Sequence, residues 1–261
     1  MAEKQTEQNA VMDVIATALK APGVRVDREK FLRETFQLTD SYTMRQILEK
    51  GPVAANYDRQ ALKKQAERLI QSGTLTASGV SFATGLPGGL AGVSAGVAAD
   101  TVQFLASVLR MAQELAYLYG ADDLWFNDPV EERAQDQLML YCGVMFGIRE
   151  ADAAVRVTAS AAGRAALTAL PEKTLTRTLI FPVVKSVAKV VSAKMTRNLL
   201  TKGVSKAVPL VGGVISGGIT YATLRPMGRR LAKALDTAAF EYDADALQAD
   251  WYEITEAHAD D

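Results

Sequence analysis

Two long stretches without charge constrain what this chain can become. Leu69–Ala99 runs 31 residues with no Asp, Glu, Lys or Arg, and Ala207–Leu224 runs 18. Each carries glycines at helical spacing: Gly88, Gly92 and Gly96 in the first, Gly213 and Gly217 in the second. Glycine costs a helix interior roughly 1 kcal/mol relative to alanine. Its repetition along one face points to a second helix backbone approaching closely, a pattern best known between helices in membranes. The spacing predicts two central glycine-rich apolar helices that cross tightly. Pro87 and the Ser, Thr and Ala content make the first a poor spanning segment. The second, at 18 uncharged residues, has the bare length to span. The expectation is a buried pair that contacts or partly enters a bilayer.

The rest of the sequence also reads as helix. Ala10–Lys20 places Val11, Val14, Ile15 and Leu19 on one face and stops at Pro22-Gly23. Asp27 is the expected N-cap of Arg28–Phe36, with Phe31, Leu32 and Phe36 inward. Thr39–Lys50 is closed by Gly51-Pro52, and Asp58–Gln71 is rich in strong helix formers. Ala98–Tyr119 has one polar stripe of Asp100, Gln103, Ser107, Arg110 and Glu114, and Gly120 ends it. A helix from Asp128-Pro129 to about Ile148 follows, then Ala151–Leu170 up to Pro171. In Thr174–Lys206, Val183, Val187, Val190 and Val191 share one face and Lys185, Lys189 and Ser192 the other. Pro226–Ala239 is a basic helix, and Phe240, Ala244, Leu247, Trp251 and Ile254 form an apolar stripe in the tail. No segment alternates as a strand does. The expected fold is all-α: a single helical bundle over residues 61–239, with a loosely packed helical extension at 1–60 and an acidic amphipathic tail at 240–261.

Charge is unevenly distributed. Residues 1–152 hold 15 basic and 20 acidic side chains, residues 153–235 hold 14 basic and only Glu172, and residues 236–261 hold nine acidic and no basic. The net charge of −1 therefore conceals a strongly basic block followed by an acidic tail. Such a block attracts an anionic surface or its own acidic neighbour. Lys185, Lys189, Lys194, Arg197, Lys202 and Lys206 are the residues expected to meet anionic lipid, at about 1 kcal/mol each. Nucleic acid is disfavoured, because Phe181 and Tyr221 are the block's only aromatics and no reading motif is present.

The usual catalytic and metal-binding sets are hard to assemble. His258 and Cys142 are the chain's only histidine and cysteine, so the usual zinc sites cannot be built. Cys142 lies in an apolar helix without a cationic neighbour, which marks a buried structural thiol. A lone cysteine allows no internal disulfide and suits a reducing compartment. Residues 1–8 lack the apolar core of a signal peptide. The expected location is the cytoplasm, at the inner face of the membrane. The expectation for cofactors is none. One polar set invites a rival reading: Asp100, Gln103, Arg110 and Glu114 would form an interior site for a small molecule or an enzyme. The plainer reading makes Arg110 and Glu114, four residues apart, an ion pair that fixes helix register.

Several separated motifs resemble the EcsC family of bacterial proteins. They are Thr84-Gly-Leu-Pro-Gly-Gly-Leu-Ala-Gly, Ala99-Asp-Thr-Val-Gln, Arg110-Met-Ala-Gln-Glu-Leu-Ala-Tyr-Leu-Tyr-Gly120, Lys202-Gly-Val-Ser-Lys, Val208-Pro-Leu-Val-Gly-Gly-Val-Ile-Ser-Gly-Gly and Arg225-Pro-Met-Gly. They cover roughly residues 70–235. The resemblance implies a helical protein with no agreed biochemical activity. A more distant likeness to the helical membrane-associated domain of some bacterial GTPases implies a membrane-proximal role, by analogy. The function expected is a non-enzymatic protein that associates peripherally with an anionic membrane surface, or with a membrane protein. A homodimer through the C-terminal helix is the further partnership the tail stripe would suit.

Overall fold

Aspartates start four of the described helices, the last being Asp243, which accepts the Ala246 amide at the head of the helix Ala244–Glu256. The Lys30 amide donates to the Asp27 carboxylate at the head of α1 (Arg28–Phe36). Amides of Tyr42 and Thr43 donate to Asp40 ahead of α2 (Ser41–Lys50). The Ala61 amide donates to Asp58 ahead of α3 (Arg59–Gly85). Each cap satisfies amides that have no partner inside the helix, worth typically about 1 kcal/mol. The chain continues through α4 (Val97–Leu118), α5 (Glu132–Phe146), α6 (Arg149–Ala159), α7 (Ala161–Leu167), α8 (Pro209–Phe240) and α9 (Ala244–Glu256). The computed structural model describes residues 17–38, 40–85, 97–125, 132–167, 186 and 209–256. Among the described residues every regular element is a helix, so the fold is all-α.

The central pair is α3 and α8, which share the most extensive helix contact and run antiparallel. Arg59 at the start of α3 bonds Asp236 near the end of α8, whereas Glu67 bonds Arg225 and Arg229, about two to three turns earlier on α8. Helix α4 lies across both. At their junction Gly73 of α3 and Gly228 of α8 face Met111 of α4. A Cβ on Gly228 would stand 2.7 Å from Met111 Sδ and 2.9 Å from Ile70 Cγ1, so glycine is what lets α8 settle here. Ile70, Met111, Leu115, Leu231 and Leu235 fill the surrounding core. Each fully buried aliphatic side chain contributes about 1.5–3 kcal/mol. On the far side α8 packs on α5 and α6, and α9 covers α6.

Four expectations are corrected. Helix α3 does not stop at Gln71 but runs to Gly85, because Thr74 and Ala77 carry its buried face past the last charged residue. Pro226 does not begin a helix. It lies inside the 32-residue α8, exposed, while Leu224, Met227 and Leu231 bury the opposite face. An interior proline costs a helix about 3 kcal/mol, and burial of that face outweighs it. Helix 151–170 is divided at Ser160. That residue is extended, its hydroxyl accepts the Gly163 amide, and a Cβ on Gly163 would collide with the Val157 carbonyl at 1.8 Å. Finally, residues 17–50 of the N-terminal extension are not loosely attached. Val24, Val26, Leu32, Phe36 and Ile47 belong to the same core as α4 and α8.

Gln113 is the reason for that attachment. It is completely buried on α4, beside the stripe of Gln103, Ser107, Arg110 and Glu114. Its carbonyl oxygen accepts the Val26 amide at 3.1 Å and the Trp125 indole N–H at 2.7 Å. Its amide donates to the carbonyls of Val24 at 2.8 Å and Leu109 at 3.0 Å. One side chain thus fastens the N-terminal loop, α4 and the loop after α4.

Candidate functional site

The antiparallel course of α3 and α8 brings their uncharged halves to one end of the bundle. On α3 the last charge is Arg68, and residues 69–85 carry none. On α8 residues 209–224 carry none, and the first charge is Arg225. Helix α4 ends beside the start of α3, because the Tyr119 phenol lies within electrostatic reach of Arg59 and Asp236. Its first turn therefore lies towards the same uncharged end. At 1.5 Å per residue, each uncharged half is about 25 Å long. Leu75, 55% exposed, is a large apolar side chain left open on the α3 half. Among the described residues no helix is long and apolar enough to cross a membrane.

A charged collar marks where this end begins. Arg229 clasps Glu67 with two donors, Nε at 3.0 Å and Nη2 at 2.5 Å, and Arg225 Nη2 adds a third at 3.0 Å. These bonds, that from Arg229 above all, hold the Glu67 carboxyl below the usual range, and they raise the Arg229 guanidinium in turn. Arg225 Nη1 donates to the Tyr221 hydroxyl at 3.1 Å, and the guanidinium stands 5.9 Å from the Tyr221 ring. Arg225 Nε is enclosed and meets no acceptor. Lys64, Arg68 and Lys233 are exposed nearby on the same two helices.

The residues anticipated from sequence are distributed as follows. Lys185, Lys189, Lys194, Arg197, Lys202 and Lys206, with Gly88, Gly92 and Gly96, lie outside the described residues. Gly213 and Gly217 lie on the first third of α8, at the uncharged end. Among the described residues, the helix glycines that stand close against a different helix are instead Gly73 and Gly228. Asp100 falls in the first turn of α4 and Gln103 is exposed further along it. Arg110 and Glu114 do pair, at 2.9 Å, and Arg110 also donates to the Gly23 carbonyl at 2.5 Å. Burial pushes the Glu114 carboxyl above its ordinary range despite that cation. Arg110 is half exposed, so this is a brace between α4 and the N-terminal loop at the surface.

Cys142 is buried on α5, and burial pushes its thiol up to about 12. A thiol so protonated is a poor nucleophile. Among the described residues no cluster of three or more His, Cys, Asp or Glu is placed to hold a metal ion.

The collar arginines escaped sequence reading as a site because each looks like an ordinary solvated residue of a basic helix. Only the pairing of α3 with α8 sets them around one carboxylate. The acidic tail shows the same effect. Helix α9 folds back on α6, with Ile254 buried and Trp251 and Leu247 half-buried. Asp250 receives Arg156 through Nε at 2.8 Å and Nη2 at 2.6 Å, and the Tyr242 hydroxyl at 2.8 Å. Arg149 meets Glu253 at 3.1 Å. Comparisons with protein-family models, curated proteins and solved structures return no match.

Proposed function

We propose that this chain is a non-enzymatic helical protein that docks peripherally on an anionic membrane face, which in a bacterium is the cytoplasmic one. The observation that carries the reading is the bundle end just described: two uncharged helix halves together, with Arg68, Arg225 and Arg229 where charge resumes. Apolar surface beside clustered basic residues is how interfacial helices hold a membrane, each nearby Lys or Arg contributing about 1 kcal/mol on anionic lipid. The basic residues between 168 and 208 would add to that attraction. The distant likeness to the helical membrane-associated domain of some bacterial GTPases implies the same membrane-proximal setting, by analogy. The rival reading, a small-molecule or catalytic site around Asp100, Arg110 and Glu114, has no supporting observation, since Arg110 is engaged by the Glu114 carboxylate and by the Gly23 carbonyl.

Flotation of the full chain with vesicles tests the proposal. Binding to phosphatidylglycerol-containing vesicles that weakens with salt, and little binding to pure phosphatidylcholine, is the expected result. No flotation, or equal binding to both, overturns it. Carbonate should release the bound protein from native membranes; retention would mean integral insertion.

A further inference from the structure

We propose that Arg225 and Arg229 form a binding site for the phosphate of an anionic lipid headgroup, and that Glu67 fills that site in the free protein. The proposal rests on the docking reading above and specifies where the headgroup binds.

The Glu67 carboxylate sits where an anionic ligand would. It takes two parallel donors from Arg229 and one from Arg225, the fork geometry with which arginine recognises both carboxylate and phosphate. Two cations on one carboxylate leave the cluster net positive, so its attraction for anions is not exhausted. The clasp is partly open to solvent, with Glu67 at 41% and Arg229 at 53% exposure, so an incoming phosphate can exchange for the carboxylate. Ion pairs this exposed are weakly held. In a membrane interface the same arginines would meet phosphate in a less polar medium, where the contact is stronger.

Position supports the assignment independently. Arg225 is the first charge after the uncharged half of α8, and Glu67 and Arg68 are the last before that of α3. Were the uncharged end to enter the acyl region, these residues would come level with the phosphates. Tyr221 stands one turn further in, under Arg225. Tyrosine and arginine at the boundary of an apolar segment are the usual interfacial anchors.

The test is flotation of the full chain and its variants on phosphatidylcholine vesicles with and without phosphatidylglycerol. Glu67→Gln removes the internal competitor and should tighten binding to anionic vesicles roughly tenfold. Glu49→Gln, the same charge change on the exposed face of α2, should stay within about fivefold, as one general charge would. The decisive arm repeats Glu67→Gln in an Arg225→Gln/Arg229→Gln background, where its effect should fall to that of Glu49→Gln. Far-ultraviolet circular dichroism confirms that each variant is folded. Parent binding with equal effects of Glu67→Gln and Glu49→Gln overturns the headgroup site while leaving the docking reading intact. The same holds if the gain persists without the two arginines. Absence of binding by parent and Glu67→Gln alike overturns both.

Discussion

Gly51 and Gly120 meet backbone against backbone. A Cβ added to Gly51 would stand 2.7 Å from the Gly120 Cα and 3.1 Å from its carbonyl oxygen, and both residues have positive φ, +83° and +95°. The contact closes the base of the bundle, joining the end of α2 to the end of α4. An L residue at Gly51 meets both the conformational cost and a collision with backbone that cannot rotate away. Gly51→Ala is expected to destabilise the protein by about 3 kcal/mol. Gly120→Ala faces only contacts at 3.9 Å, so its cost should be about 1 kcal/mol. Urea melts of the two variants check the ranking, which equal losses would refute.

Gln113 has all four of its hydrogen-bonding positions filled, so any apolar replacement strands several buried groups. Gln113→Leu keeps much of the volume but leaves the Val26 amide and the Trp125 indole without an acceptor. At about 1–3 kcal/mol for each stranded group, a loss of roughly 3 kcal/mol is expected. The effect should be local first. In a Trp251→Phe background, Trp125 fluorescence should shift to longer wavelength, and amide exchange should rise in residues 17–27 before the rest of the chain. A globally uniform change would count against Gln113 as the fastening point.

Asp250 ties α9 to α6 through Arg156 and to the α8–α9 turn through Tyr242. Asp250→Ala leaves Arg156 with only Asp152, its neighbour one turn away on the same helix. Loss of one partner from a partly buried pair should cost about 2–3 kcal/mol. Hydrogen exchange across 244–256 should accelerate while α3, α4 and α8 keep their protection. Unchanged exchange in α9 would show that Ile254 and its apolar neighbours hold the helix without the ion pair.

Glu114 is the acid for which burial outweighs its cation. Its folded carboxyl takes up a proton at higher pH than the unfolded one, so between the unfolded value and the raised folded value the native state binds more protons. Stability from this group therefore falls as pH rises through that window, and the full penalty is present above it. Glu114→Gln should melt at or above the parent temperature at pH 7, by up to about 1 kcal/mol, and the difference should close near pH 4. A variant less stable than the parent at pH 7 would show that the Arg110 pair is the stronger term.

What the sequence made legible was local. Asp27 is read as a helix start because a carboxylate reaches amides two or three residues ahead, whatever lies elsewhere in the fold. Gly120 and Gly51 are read as stops because a positive φ is a property of the residue itself. The tail stripe around Ile254 was legible for a similar reason, since helical periodicity needs no partner to be seen. Tertiary structure decided whatever depends on two helices meeting. Pro226 reads as a break until the burial of Leu224, Met227 and Leu231 overrules it, and Gln113 reads as one more polar side chain until Val24, Val26 and Trp125 converge on it. The collar follows the same logic. Glu67 and Arg229 lie 162 residues apart in the chain, and only the antiparallel packing of α3 on α8 makes them one site. Hydrogen bonds and ion pairs act over a few ångströms of space, and no spacing in the sequence encodes which distant residues will share them.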